Sequence, residues 1–248
     1  MEDSKKESKA KNFIKRYCNN KLAVIGFFTL VLITLIVIIA PPFLPFSEAE
    51  IDPLAFNMPP SAKHLLGGDD VGRDVLSRLL YGGRVSLAVG IFSTAVSVIV
   101  GIPLGMLAAF YRGAFEVVVM RLSDIFMSFP STILILFLVS MFGPSIITVT
   151  VVIGVLGWPK FARQIYGSVL SIREKDYIEG AVAIGAKDKL IITRYILPNA
   201  VAPIFISITF RIASALILES SLSFLGMGVQ PPAASWGTLL YNAPSIQI

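Results

Sequence analysis

Residues that commonly bind metals or form disulfides are scarce in this sequence, which has one cysteine and one histidine in 248 residues. Cys18 has no second cysteine with which to form an intrachain disulfide, and a thiolate metal cluster is excluded for the same reason. A single imidazole, that of His64, is a poor start for a transition-metal site, so we interpret it as a surface histidine. The sequence also lacks a G-x-x-x-x-G-K-[ST] phosphate loop, the commonest motif for binding ATP.

Charge is scarce as well, because only 15% of the residues are charged while 55% are hydrophobic. An average soluble domain has about 25% charged residues. The apolar residues lie in blocks, and a helix needs about 20 residues to cross a bilayer. The first block, Leu22–Ala40, follows a basic tail (residues 1–21) and is longer than the core of a signal peptide, about 7–15 residues. We therefore predict an all-α, polytopic membrane helical bundle.

Four further apolar blocks predict four more spans, which gives five in this chain. A mixed helix from Glu116 precedes the third. The fourth must continue through "KFARQIYG" or lie obliquely in the membrane, because Pro159 and Lys160 interrupt its apolar run. The limits of the second and fifth spans are clear, whereas the lower boundary of the fourth span is open. The predicted apolar parts are Val85–Tyr111, Ile125–Met141, a block from Ile146, and Ala200–Leu218.

Basic residues predict the orientation, because loops rich in Lys and Arg remain in the cytoplasm. The amino-terminal tail and residues 160–198 carry most of them, so both are predicted to be cytoplasmic. Residues 41–84 carry more acidic than basic side chains and are predicted to be extracytoplasmic. Topology thus explains the net charge of +5, and nucleic acid is not an expected partner.

The predicted cytoplasmic segment contains a charged island, which we interpret as two short helices joined at Gly185. The first, about residues 174–184, has Asp176 and Glu179 on one face. Another face would carry Tyr177, Ala181 and Ile184. Gly185 can take the left-handed backbone that ends a helix.

The second helix of the island is predicted to begin near Ala186 and to end at Pro198, which cannot continue it. Asn199 would then cap the fifth span. Its apolar stripe is Leu190, Ile191 and Tyr195. An amphipathic loop lying on the lipid surface is the alternative interpretation.

The order of residues in the island resembles the "EAA" loop of the membrane subunits of bacterial ABC importers. That pattern is E-A-A, three residues, G, nine residues, I, one residue, L-P. Gly180 replaces the first alanine and Tyr195 replaces the isoleucine, while the remaining positions match. Residues 59–90 and 222–240 resemble two further segments of the dipeptide and oligopeptide branch of the same family. The matching positions of the loop are Glu179, Ala181, Gly185, Leu197 and Pro198.

The resemblance implies a permease subunit, not an enzyme, in a bacterial inner membrane. Its partners would be ABC ATPase subunits, a second homologous permease, an extracytoplasmic solute-binding protein and membrane lipid. ATP would bind to the ATPase, and this chain would bind no cofactor. The coupling loop (residues 160–199) would dock on the ATPase. The residues expected to make that contact are Asp176, Glu179, Gly180, Ala181, Gly185, Leu197 and Pro198.

Short peptides are the expected cargo, with nickel or another small solute as the alternative. The resemblance also implies six spans in the whole subunit, of which this chain supplies five, and the sequence stops at "APSIQI", where the sixth would begin. We expect a carboxyl-terminal truncation. An ion-coupled secondary transporter is the competing class, because such proteins carry charges in the membrane.

Several charged or small residues outside the island have two possible roles. Arg211, in the middle of the fifth span, lines a pathway or pairs with another helix, and Glu219 is expected near the outer surface. Gly101 and Gly105 allow close helix contact or form a hinge. A set of acids and arginines in the outer segment predicts a structural clamp, with "GGDD" capping a helix that begins near Val71. That set comprises Asp69, Asp70, Arg73, Asp74, Arg78 and Arg84.

Overall fold

The structure, a computed structural model, describes residues 19–242 as a set of α-helices; residues 1–18, which are most of the basic tail and include Cys18, lie outside that range. Single turns of other helical types occur at Pro41–Phe43, Pro53–Ala55 and Ile191–Ile196. The helices are α1 (Lys21–Ile39), α2 (Val75–Tyr111), α3 (Gly113–Ser128), α4 (Ser131–Phe142), α5 (Ile146–Arg173), α6 (Asp176–Ala183), α7 (Asp188–Leu190), α8 (Leu197–Ala200), α9 (Ala202–Phe224) and α10 (Trp236–Asn242).

Four of the described helices are long and apolar enough to cross a bilayer, namely α1, α2, α5 and α9. The predicted third span is divided into α3 and α4, which meet at a bend of 89°. Phe129 has an extended backbone before Pro130, because a residue that precedes proline is pushed away from the helical conformation. Counting the bent pair as one span raises the number to five within residues 19–242. The prediction of a helical membrane bundle is confirmed.

Three helix limits differ from the prediction. Helix α2 begins at Val75 instead of Val85, so the last residues of the predicted outer segment are helical. Helix α5 continues through Pro159 to Arg173, which confirms the predicted continuation through "KFARQIYG" but makes residues 160–173 of the predicted coupling loop helical. Helix α9 covers 202–224, several residues beyond the predicted apolar block. In each case helix packing overrides the local change in hydropathy.

Helices α2 and α5 form the main packing pair, and glycines allow their close approach. A β-carbon at Gly101 would lie 2.8 Å from the Phe161 β-carbon, and one at Gly105 would lie 2.6 Å from Ile165 Cγ2. Both distances are too short for non-bonded carbon atoms. The predicted close-packing role of the two glycines is confirmed.

Helix α1 lies at the edge of the described bundle, and most of its side chains are exposed. Arg84 of α2 fastens its end, because the guanidinium donates to the carbonyl oxygens of Val37 and Ile38. These carbonyls belong to the last turn of α1, where no intrahelical donor is available. Arg84 therefore links α1 to α2 and does not join the acidic clamp.

Candidate functional site

The island begins with α6 and turns at Gly185, which has a φ angle of +76°. The Gly185 amide donates to the Val182 carbonyl at 2.9 Å, and the Ala186 amide donates to the Ala181 carbonyl at 3.0 Å. These two bonds satisfy carbonyls that the helix end would leave unpaired. The predicted left-handed glycine is confirmed.

The buried face of α6 is not the predicted one. Ile178 and Ala181 are 2% and 7% exposed and pack into a core with Ile172 of α5. Tyr177 and Ile184, predicted to share the apolar face with Ala181, are 45% and 85% exposed. The end of α5 determines which face is covered, and the spacing of apolar residues within the island could not show this.

The opposite side of α6 is a surface of acidic, small and apolar residues, which we call the docking face. Within residues 19–242 the carboxylates of Asp176 and Glu179 have no ion-pair partner. A β-carbon at Gly180 would meet no atom within 4 Å, so this glycine leaves space outside the chain. The docking face comprises Asp176, Tyr177, Glu179, Gly180, Val182 and Ile184, all exposed.

The segment after Gly185 returns to the bundle through α7, the π-helical turn and α8. Pro198 does not end this segment, because it lies in the first turn of α8, where proline removes no hydrogen bond. Asn199 does not cap α9; its side-chain amide donates to the Tyr195 carbonyl at 2.7 Å. Leu197 is half-buried and Pro198 is exposed, so they border the island without belonging to the docking face.

A continuous apolar core joins the island to the long helices. Ile191 and Ile196 of the return segment are fully buried and share this core with Ile178 of α6. Phe161 and Ile165 of α5 complete it. Because packed cores transmit displacement instead of absorbing it, a force on α6 would move α5 and the start of α9.

A cleft of about 690 Å³ lies beside the docking face, between α6 and the turn that joins α2 to α3. Arg112, Arg173 and Glu179 are among its lining residues. The guanidinium of Arg173 also lies over the ring of Phe110. The cleft brings together residues more than sixty positions apart in sequence, so no local motif indicated it.

Arg211 lies against α5, where its Nη2 donates to the Ile153 carbonyl at 2.7 Å. This contact agrees with the predicted alternative of a pairing with another helix, and within residues 19–242 it is a hydrogen bond to a backbone carbonyl and not an ion pair. Glu219 does not pair with Arg211. The two charged side chains of α9, Arg211 and Glu219, instead have different hydrogen-bond partners.

Glu219 is fully buried, towards the end of α9 that was predicted to face outward. Its carboxylate accepts hydrogen bonds from Ser86 Oγ at 2.9 Å and Ser223 Oγ at 2.7 Å. Ser86 Oγ in turn accepts from the Trp236 amide at 3.1 Å. This network joins α2, α9 and α10, so Glu219 has a structural role inside the bundle.

The interpretation of His64 as a surface residue is wrong, because its side chain is only 1% exposed. Its Nδ1 lies 3.0 Å from Asp74 Oδ1, and its Nε2 lies 3.4 Å from Asp52 Oδ2. The ring of Phe46 stacks on it at a centroid distance of 4.5 Å. In the part of the chain that the structure describes, no group of three or more histidine, cysteine, aspartate or glutamate side chains is placed to hold a metal ion.

The predicted clamp of acids and arginines forms around Asp69. This carboxylate pairs with Arg73 Nε at 2.8 Å and Arg78 Nε at 3.5 Å. Asp74, not "GGDD", caps α2 by accepting from the Ser77 amide at 2.8 Å, so the helix begins at Val75 instead of Val71. Asp70 forms none of these bonds. The clamp holds the outer segment against the end of α2.

Lys63 and His64 provide a matched test of this outer cluster. We expect His64→Ala to destabilise it by about 1–3 kcal/mol, because Oδ1 of the buried Asp74 loses the imidazole as its partner. Lys63→Ala removes an exposed partner of Asp52 and should change stability much less, because solvent screens an exposed ion pair. Limited proteolysis within residues 41–74 measures both, and equal cleavage rates for the two variants would contradict the assigned role of His64.

The Lys63 ammonium donates to Asp52 at 2.6 Å and lowers the pKa of that carboxyl to about 2. Because the folded-state pKa of Asp52 lies below the usual 3.8, its stabilising contact with Lys63 is fully present above pH 3.8. It is lost as the pH falls towards 2. Acid therefore loosens this contact only well below neutral pH.

Comparison with known families agrees with this arrangement. The model for the binding-protein-dependent transport system inner membrane component matches residues 101–245, and that for the N-terminal TM domain of oligopeptide transport permease C matches residues 8–60. The chain has the fold of a solved protein, the MetNI methionine ABC transporter in inward-facing conformations. The TM-score is 0.56 with 22% identity, over 66% of this chain and 79% of that one.

The relatives of the chain include three permease proteins that share between 32% and 39% identity with it. The glutathione transport system permease protein GsiD of Pectobacterium atrosepticum is 39% identical, over 95% of this chain and 78% of its own length. The dipeptide transport system permease protein DppC of Alkalihalophilus pseudofirmus is 38% identical, over 92% and 75%. The oligopeptide transport system permease protein OppC of Bacillus subtilis is 32% identical, over 92% and 75%.

Proposed function

Because the chain belongs to the family of binding-protein-dependent transport inner-membrane components, we propose that it is a peptide-importing permease whose docking face receives an ABC ATPase. The chain is a membrane-spanning transport subunit and not an enzyme. The names of its relatives, which refer to dipeptides, oligopeptides and glutathione, support a short peptide as cargo. The amino terminus lies in the cytoplasm, and residues 41–74 face the extracytoplasmic binding protein.

The observation that carries the proposal is the two-sided character of α6. One side, with Ile178 and Ala181, is buried in the core shared with α5 and the return segment. The other side presents Glu179 without an ion-pair partner in residues 19–242 and leaves open space at Gly180. A charged group with a small neighbour suits close contact with a second protein. A loop that only rests on lipid needs no such buried attachment.

The mechanism follows from this attachment. When the ATPase subunits close on ATP, they displace α6, and the shared core carries the displacement to α5 and α9. The ATPase binds the nucleotide, and this chain contributes the pathway together with a second homologous permease. Solute released by the binding protein enters between the tilting helices.

Uptake into vesicles tests the proposal. The chain, its partner permease and its ATPase are reconstituted together, and the binding protein supplies the dipeptide alanylalanine from the outside. We expect accumulation only when ATP is present on the ATPase side and the binding protein is present on the other. Accumulation without ATP, driven by a proton or sodium gradient, would identify a secondary transporter and overturn the proposal.

A further inference from the structure

A cavity of about 290 Å³ between α5 and α9 is lined by two positively charged side chains, Lys160 and Arg211. Both lie near the middle of their helices. At 1.5 Å per residue, Arg211 is about 14 Å along the axis from Ala202, far from either end of α9. The charges therefore lie well inside the membrane-spanning part of the chain.

Neither charge is neutralised within the chain as described. No carboxylate of residues 19–242 lies within 4 Å of the Lys160 or Arg211 nitrogens. The Arg211 guanidinium donates from Nη2 to Ile153, and its buried Nε has no hydrogen-bond partner in the described residues. A guanidinium has five N–H donors, so most of its capacity remains available.

The position of Arg211 is built into the packing of α5. A β-carbon at Gly157 would lie 2.9 Å from Arg211 Cζ, so the guanidinium occupies the space that a side chain would take. Phe210, which also lines the cavity, is 71% exposed. Arg211 is thus held against one wall while the cavity stays accessible.

The lining suits a small anion that accepts hydrogen bonds. Gln164, Ser207 and Ser214 supply neutral polar groups around the two cations. An unneutralised charge in the hydrocarbon is costly, so such residues face water or a counter-ion. A carboxylate accepts two parallel bonds from an arginine and gains from a second nearby cation.

We propose that this cavity binds the free carboxylate of the transported solute, with Arg211 as its hydrogen-bonding partner and Lys160 as a second positive charge. The inference rests on the proposed function, since every short linear peptide carries a carboxyl terminus. An anionic lipid headgroup has related chemistry and is the competing occupant. If the solute carboxylate is the occupant, the effect of removing Arg211 or Lys160 depends on which solute is transported. If a lipid headgroup is the occupant, the effect is the same for every solute.

The test compares uptake of alanylalanine with that of its carboxyl-terminal amide in reconstituted vesicles. The same binding protein delivers both, so its own preference is common to every variant. We expect Arg211→Gln to lower the acid-to-amide uptake ratio about tenfold, the usual size for a lost charged hydrogen bond. Lys160→Gln should lower the ratio less, and Arg211→Lys should largely retain it.

Arg121→Gln is the matched control, because it removes an exposed arginine that does not line the cavity. Its ratio should equal that of the unmodified chain. If Arg211→Gln fails to assemble, the exposed Lys160→Gln decides the result. An unchanged ratio in ATP-driven uptake overturns this inference but leaves the proposed function intact, whereas no ATP-driven uptake by the unmodified chain rejects the proposed function.

The lipid is varied in the same vesicles. If the variants slow both solutes equally, and only when phosphatidylglycerol is present, a lipid headgroup occupies the cavity and the inference is wrong. Equal slowing in purely phosphatidylcholine vesicles also overturns it, because the charges then serve assembly. A fall in the ratio in both kinds of vesicle supports a site for the carboxylate of the solute.

Discussion

Glu179→Lys is expected to abolish ATP-driven uptake while the chain still inserts and folds. Glu179 is exposed and has no ion-pair partner in residues 19–242, so its replacement breaks no contact inside the chain. If the carboxylate pairs with the ATPase, reversing its charge removes about 2–5 kcal/mol of docking free energy. That is a loss of about thirtyfold or more in affinity. Copurification of the ATPase measures the loss of docking, and uptake of alanylalanine measures the loss of transport.

Two controls separate docking from a general effect of charge. Glu179→Gln removes the charge without reversing it and should weaken docking less. Glu50→Lys makes the same reversal at an exposed outer residue and should leave ATPase copurification unchanged. A Glu179→Lys chain that retained its ATPase and transported normally would contradict the assigned docking role.

Gly185→Asp should likewise abolish uptake and preserve insertion. A β-carbon at Gly185 meets no atom within 4 Å, so no clash inside the chain is expected. The φ angle of +76° adds about 1–2 kcal/mol of strain for most residues, although aspartate tolerates it better. The main effect is therefore a bulky negative group at the contact. Gly185→Asn has similar size without the charge, and equal loss in both would indicate that the added side chain, and not its charge, causes the loss.

Gly105→Ala is expected to destabilise the helical bundle. The added methyl group would overlap the backbone at Ala162 and lie 2.6 Å from Ile165 Cγ2. Overpacking commonly costs about 1–3 kcal/mol, and here rigid backbone atoms cannot move aside as a side chain would. The main helix pair, α2 and α5, would separate. The fraction of purified complex that survives heating in detergent measures the effect.

Gly167→Ala makes the same chemical change in α5, at a glycine with no atom within 4 Å of the added β-carbon. Alanine favours the helix over glycine by about 1 kcal/mol, so this variant should be as stable as the unmodified chain or more so. Similar losses in the two variants would show that close approach at Gly105 is unimportant.

Much of the fold could be predicted from the length and spacing of the apolar blocks. Lipid offers no hydrogen bonds, so a long apolar segment must satisfy its backbone internally, and a helix does this with local contacts alone. The same local logic identified Gly185 as a left-handed helix end and Gly101 as a close-packing residue. The loop motif around Glu179 lies within one short stretch and was likewise recognisable.

Other features depended on contacts between distant segments. His64 was interpreted as a surface residue because no second imidazole or thiolate accompanies it in the sequence, yet Asp52 and Asp74 enclose it. The break before Pro130 divides a span whose hydropathy is continuous. The buried face of α6 follows from the end of α5, and the predicted stripe with Tyr177 and Ile184 was therefore wrong.

The sequence by itself determined that the chain forms membrane helices and carries an exposed acidic loop, because hydropathy, chain length and turn residues act locally. Only the tertiary structure decided where the charges of the bundle lie. It placed Glu219 in a serine network and set Lys160 beside Arg211 at one cavity. The physical reason is that the environment of a charge depends on which helices pack around it, and residues far apart in the chain supply those helices.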